Sequence, residues 1–211
     1  MWIKTQMKPK KRCTENPIWP LSRVFTDINW ELSGGTKHVG IIAAAMICAY
    51  DINTVLEIGI WNAFTTKLFG QALSASAMEK GLLVSIDINP RAIERAKEAV
   101  KHLPIKHKVV LADTNKFEDF SMYLEGKKAG LIFIDGDHSY ESALNDLKKS
   151  DKVLAEEGII IVHDYSKNQN HKGVVKAVDE YLRGWPMFFL PENRISTDYR
   201  TIIVQKPWRY R

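Results

Sequence analysis

The sequence predicts an α/β fold with a doubly wound, mostly parallel sheet, and three observations carry that expectation. Short apolar runs rich in Val, Ile and Leu recur through the centre of the chain, longer amphipathic stretches alternate with them, and acids stand at their C-terminal ends. Near-continuous apolar strands are buried on both faces, as in a parallel sheet with helices on each side. Right-handed crossovers then bring the strand ends, with their acids, to one edge, where such sheets bind ligands.

The elements follow in order. The apolar runs are residues 54–58, 82–86, 108–111, 131–134 and 158–162. Amphipathic spacing predicts helices at about 36–50, 62–79, 90–102, 139–154 and 172–183. Asn89-Pro90 opens the third, because a proline in the first turn has no N–H to leave unpaired. Ser139 opens the fourth, whose N-terminal half is acidic as the helix dipole favours. Residues 187–190 and 200–205 read as two strands of a closing antiparallel hairpin. Residues 1–35 read as an irregular arm or lid and 36–211 as the domain. A length of 211 residues leaves no room for a second full domain.

The net charge is +5, yet its position matters more than its sum. Residues 1–30 and 181–211 each carry six Lys/Arg against two acids, which leaves 31–180 at −3. The basicity therefore belongs to the termini, where a solubilising tail and an anion-binding one are both open readings. No apolar run approaches the roughly 20 residues of a membrane span, and no apolar stretch follows the basic start. A cytoplasmic protein without a membrane partner is expected. Cys13 and Cys48 are too few for a disulfide scaffold or a cysteine zinc site.

The first strand runs into its helix through Glu57-Ile58-Gly59-Ile60-Trp61-Asn62-Ala63. Gly59 permits close backbone approach, and the following helix start offers unpaired N–H groups. Trp61 stands where a dinucleotide fingerprint would need its second glycine, which disfavours a bound pyrophosphate. Taken with Ser85-Ile86-Asp87, Leu111-Ala112-Asp113 and Ile134-Asp135-Gly136-Asp137-His138-Ser139-Tyr140-Glu141, this order resembles the class I S-adenosylmethionine-dependent methyltransferases. The last segment, with Asp146-Leu147 and the His163-Asp164 pair, is similar to the methyltransferase-24 type, related to catechol and caffeoyl-CoA O-methyltransferases. The resemblance spans about 36–206. It implies a Rossmann-like doubly wound seven-stranded sheet, mostly parallel with a C-terminal antiparallel hairpin, in the order 3-2-1-4-5-7-6. Ala63 departs from the family, which usually has glycine there.

The resemblance also implies roles. Glu57, Gly59, Ile60, Trp61, Asp87, Ile88, Asp113, Thr114 and Asp135 would form the S-adenosyl-L-methionine site, with Asp87 on the ribose hydroxyls and Asp113-Thr114 near the adenine. Turn or helix capping by Asp87 and Asp113 is the plain alternative. Asp135, His163 and Asp164 would hold a divalent metal, Mg²⁺ or Mn²⁺, although the family more often has an acid at His163. His138, three residues after Asp135, would be the general base, since imidazole titrates near neutrality. His171 and Tyr140 are expected to be exposed loop and helix residues.

These features point to metal-assisted O-methylation of a small-molecule, sugar or glycoconjugate hydroxyl. An RNA methyltransferase gripping phosphates with its basic termini, and an inactive cofactor-binding module, are the alternatives. Base methylation is disfavoured: no Asn/Asp-Pro-Pro-aromatic segment follows the fourth strand, and no cysteine follows a strand-end proline. Exposed tryptophans at 2, 19, 30 and 208 would suit a homo-oligomer contact.

Overall fold

The computed structural model describes residues 28, 29, 31, 36–77, 80–191 and 199–207. The arm assigned to 1–35 therefore lies almost wholly outside the described residues, as do the basic run at 8–12, Cys13, the four tryptophans and most of the turn between the last two strands.

Seven strands, β1 (Thr54–Ile58), β2 (Leu82–Asp87), β3 (Lys106–Leu111), β4 (Ala129–Ile134), β5 (Leu154–His163), β6 (Met187–Pro191) and β7 (Tyr199–Gln205), form one sheet in the order β3-β2-β1-β4-β5-β7-β6. The first five are parallel; β7 runs antiparallel to both β5 and β6. The predicted architecture and strand order hold.

Side chains alternate between the two faces of each strand, so each face collects its own helices. Val55, Leu83, Leu131 and Phe133 pack beneath α1 (Lys37–Ala49) and α2 (Phe64–Ser76), where Phe69 meets Phe133 edge-on at 5.5 Å. Leu56, Ile58, Val84 and Ile132 pack beneath α4 (Tyr140–Val153) and α5 (Lys172–Tyr181). Helix α3 (Pro90–Val100) covers Ile60 and Ala63 with Ala92, Ile93 and Ala96. Among the described residues, no helix is long and apolar enough to cross a membrane.

Local chemistry sets the helix starts. Asn89 caps α3, its side chain accepting from the Arg91 N–H at 2.9 Å ahead of Pro90. Ser139 caps α4 through the Ser142 N–H, and Glu141 sits in its first turn. Helix α2 begins at Phe64 rather than 62, because Ala63 takes a left-handed conformation at φ 63°. That is a glycine-favouring backbone, occupied here by an alanine.

Other boundaries differ from the periodicity as well, among them β4, which starts at Ala129 rather than 131. β5 begins at Leu154, directly after α4, because Leu154 leaves the helix in extended geometry and pairs with Ala129. β3 begins at Lys106, two residues early, because an edge strand tolerates the polar Lys106-His107-Lys108 start. Single 3₁₀ turns at Thr114–Lys116, Ser121–Tyr123 and Gln169–His171 had no periodic signal to reveal them.

Candidate active site

The C-terminal ends of β1, β2 and β4 are pinned to one another. The Gly59 N–H donates to the Ile86 carbonyl at 2.9 Å, and the Asp135 N–H to the Ile58 carbonyl at 2.8 Å. Gly59 has φ 87°, and a Cβ built there would lie 2.0 Å from the Asp135 carbonyl oxygen. Only glycine lets the β1–α2 turn press this closely on the end of β4.

Asp87 organises the same turn. Its Oδ2 accepts from the N–H groups of Ile60 at 2.7 Å and Trp61 at 3.2 Å, while Oδ1 accepts from Asn89 N–H at 2.7 Å. Trp61, at φ 51°, is 61% exposed at the rim. The turn encloses a cleft of about 340 Å³ with Gly59, Trp61, Asp87, Ile88, Asp113, Thr114 and Asp135 on its walls. Seven of the nine residues assigned to the cofactor thus line one cavity.

The other two do not. Glu57 is fully buried beneath the turn, and its carboxylate accepts from Thr65, Thr66 and Ser85 hydroxyls at 2.6–2.8 Å. Burial pushes its pKa up to about 7 despite those three bonds. Ile60 turns its side chain onto α3 and contributes only its backbone to the turn. Both support the cleft without lining it.

Asp113 caps the 3₁₀ turn that follows it, accepting from Asn115 N–H at 3.0 Å, while still facing the cleft. Thr114 is held through its carbonyl by the Lys149 ammonium. Asp146 of α4, quoted in the motif but given no role, also reaches the cleft. It is buried, its Oδ1 has no hydrogen-bond partner among the described residues, and burial pushes its pKa up to about 6. With Asp137, whose Oδ2 accepts from the Ser139 hydroxyl, five carboxylates face this space.

Beside the cleft, β4 and β5 deliver a compact cluster. Asp164 adopts φ 56°, an uncommon backbone for a residue other than glycine that concentrates at functional sites. Its Oδ2 lies 3.1 Å from His138 Nε2 and 3.3 Å from His163 Nδ1; His163 Nδ1 is also 3.2 Å from Asp135 Oδ1. Among the described residues, neither ring nitrogen of the buried His163 has hydrogen-bonding geometry to a partner. Burial alone would lower the His163 pKa, but the adjacent Asp135 and Asp164 push it up to about 10. Burial likewise opposes the Asp164 charge, yet His138, His163 and His171 hold it well below the usual carboxylate range. The contact with Asp164 raises the His138 pKa against a smaller burial effect.

His171 is not the exposed loop residue expected. It is buried, with Nδ1 2.6 Å from Ser166 Oγ and Nε2 3.7 Å from Asp164 Oδ1. The cause is Gly173, where a Cβ would come within 2.2 Å of the His138 carbonyl oxygen, so the start of α5 sits directly on the β4–α4 turn. Tyr140 is not merely exposed either: its hydroxyl donates to Glu180 at 2.7 Å and the Lys176 ammonium lies over its ring.

The motifs and the geometry meet in the family comparison. A family model described as a methyltransferase domain, the methyltransferase-24 type, matches residues 56–165, just over half of the chain. The chain belongs to this methyltransferase family. The matched methyltransferase span runs from β1 to two residues beyond β5 and includes the cleft, His138 and the His163-Asp164 pair. Solved methyltransferases share the fold. An O-methyltransferase from Bacillus cereus, in complex with SAH, is 13% identical with a TM-score of 0.61, over 88% of this chain and 89% of that one. A TDP-rhamnose 3'-O-methyltransferase of calicheamicin biosynthesis is 13% identical at 0.64, over 88% and 92%. An rRNA methylase from Streptococcus thermophilus is 12% identical at 0.58, over 78% and 94%. No curated protein matches the sequence.

Proposed function

We propose that this chain transfers a methyl group from S-adenosylmethionine to a hydroxyl of a small molecule, sugar or glycoconjugate. The observation that carries this reading is His138, 37% exposed beside the acid-lined cleft and held by Asp164 at 3.1 Å. The cleft suits a cofactor bearing a sulfonium and an ammonium, because its carboxylates supply opposite charge in a partly dry space.

His138 fits a general base. Asp164 accepts from the Nε2–H, which fixes the tautomer that leaves the lone pair on Nδ1. Nδ1 takes the proton as the acceptor oxygen attacks, and Asp164 stabilises the imidazolium that forms. Glu57 and Asp87 hold the β1–α2 turn in place, so the cleft does not have to reorganise. Bound S-adenosylmethionine supplies the methyl carbon, and its sulfur leaves as a neutral thioether.

The donor set fits a divalent ion such as Mg²⁺ or Mn²⁺, since the buried His163 ring without a hydrogen-bond partner faces two carboxylates. Asp135, His163 and Asp164 would hold it. When bound it would lower the pKa of a chelated hydroxyl and orient it.

Transfer of labelled methyl to a panel of hydroxyl compounds, with and without EDTA, tests this reading. The expected result is transfer to at least one of them, lost with EDTA and restored by Mg²⁺ or Mn²⁺. Transfer to RNA that falls steeply with salt would replace the small-molecule reading. Cofactor binding without transfer to any acceptor would favour an inactive module.

A further inference from the structure

We propose that His138, Asp164 and His171 form a second cation site, selective for zinc-class transition ions, whose occupation removes the base from catalysis. The inhibitory consequence rests on the reading of His138 as the base; the binding site does not.

The three donors converge from separate elements: His138 from the β4–α4 turn, Asp164 from the end of β5, and His171 from the 3₁₀ turn before α5. One nitrogen from each histidine and one carboxylate oxygen lie within 4.8 Å of one another. A tetrahedral zinc ion with bonds of about 2.0–2.1 Å separates its ligand atoms by about 3.3 Å. The Asp164 carboxylate lies near that separation from both rings, with Oδ2 3.1 Å from His138 Nε2 and Oδ1 3.7 Å from His171 Nε2. The second of these is too long for a hydrogen bond.

The surroundings match what a metal-binding histidine needs. Ser166 Oγ, 2.6 Å from His171 Nδ1, fixes that ring from behind and turns Nε2 toward Asp164. The two imidazoles pack edge to face, with centroids 4.8 Å apart, which limits their rotation. His138 is partly exposed, giving an ion a path in and room for a water as fourth ligand. Next to it, the buried His163 ring lies 3.3 Å from the same Asp164 oxygen that His138 meets.

The two donor sets differ in hardness. Asp135, His163 and Asp164 offer two carboxylates, which suit Mg²⁺ or Mn²⁺; His138, Asp164 and His171 offer two imidazoles and one carboxylate, a zinc-type set. Zinc on His138 Nε2 takes that nitrogen's lone pair, so the neutral ring carries its single N–H proton on Nδ1 instead. The base lone pair is then gone.

Cobalt(II), a spectroscopic stand-in for zinc, tests the site in the full chain stripped of metal. Binding should produce visible d–d absorption that zinc displaces and millimolar Mg²⁺ does not. His171→Asn should weaken binding by at least about tenfold, whereas His163→Asn should leave it nearly intact. Wild-type affinity in His171→Asn, or a loss confined to His163→Asn, overturns the proposal. If His171→Asn loses its fold by circular dichroism, His138→Asn at its more exposed position reads the same site, and unchanged cobalt binding there also overturns it. Methyl transfer without cobalt binding would sink this site alone. Cobalt binding without any transfer would sink the functional reading and leave the site standing.

Discussion

His163 Nδ1 lies 3.2 Å from Asp135 Oδ1, across the parallel pairing of β5 with β4. Two residues 28 positions apart in sequence are thereby made neighbours by strand register alone, since Ile134 pairs with Val162 immediately before them. The same edge brings Asp164 and His138 together, so both side chains and the cleft share one frame.

Asp87→Ala should weaken binding of S-adenosylhomocysteine by about 10- to 100-fold, measured by calorimetry. Charge-assisted hydrogen bonds contribute about 1.5–3 kcal/mol each, and here two of them hold the turn that walls the cleft. Unchanged affinity would mean that the turn keeps its shape unaided.

Gly59→Ala should cost on the order of 3 kcal/mol or more in urea unfolding. The added methyl meets the Asp135 carbonyl at 2.0 Å, and φ 87° is itself strained for alanine. A Gly59→Ala protein of wild-type stability would contradict the tight β1–β4 contact.

Glu57 makes stability depend on pH. Its native pKa is raised to about 7 from 4.5, so the folded state binds the extra proton between these values. By linkage, this contribution is full below about pH 4.5 and is lost as pH rises through about 7, a fall of about 3 kcal/mol. Glu57→Gln should flatten that part of the stability profile in urea titrations across this range. An identical slope in the variant would show that another group carries it.

How much of this was legible in the sequence depended on whether the signal was local. β1 is bounded as the run of residues 54–58 predicts, and Asn89-Pro90 marks the start of α3 because the cap is written in adjacent residues. The role of Glu57 was not legible: the three hydroxyls that hold it come from α2 and β2 and meet only in the fold. His171 sits after a polar run that reads as exposed loop, and only the approach allowed by Gly173 buries it against Asp164. Asp146 lies on a helix face whose cleft contact depends on how α4 docks, which spacing alone does not fix.

The proposed role of His138 is that of the base in methyl transfer. The most direct measurement compares His138→Gln with wild type for both S-adenosylhomocysteine affinity and the rate of labelled methyl transfer to a hydroxyl acceptor. With His138 as the base, the variant should keep nearly unchanged affinity with a rate about 100- to 10,000-fold lower. A variant that transfers methyl at the wild-type rate would contradict it.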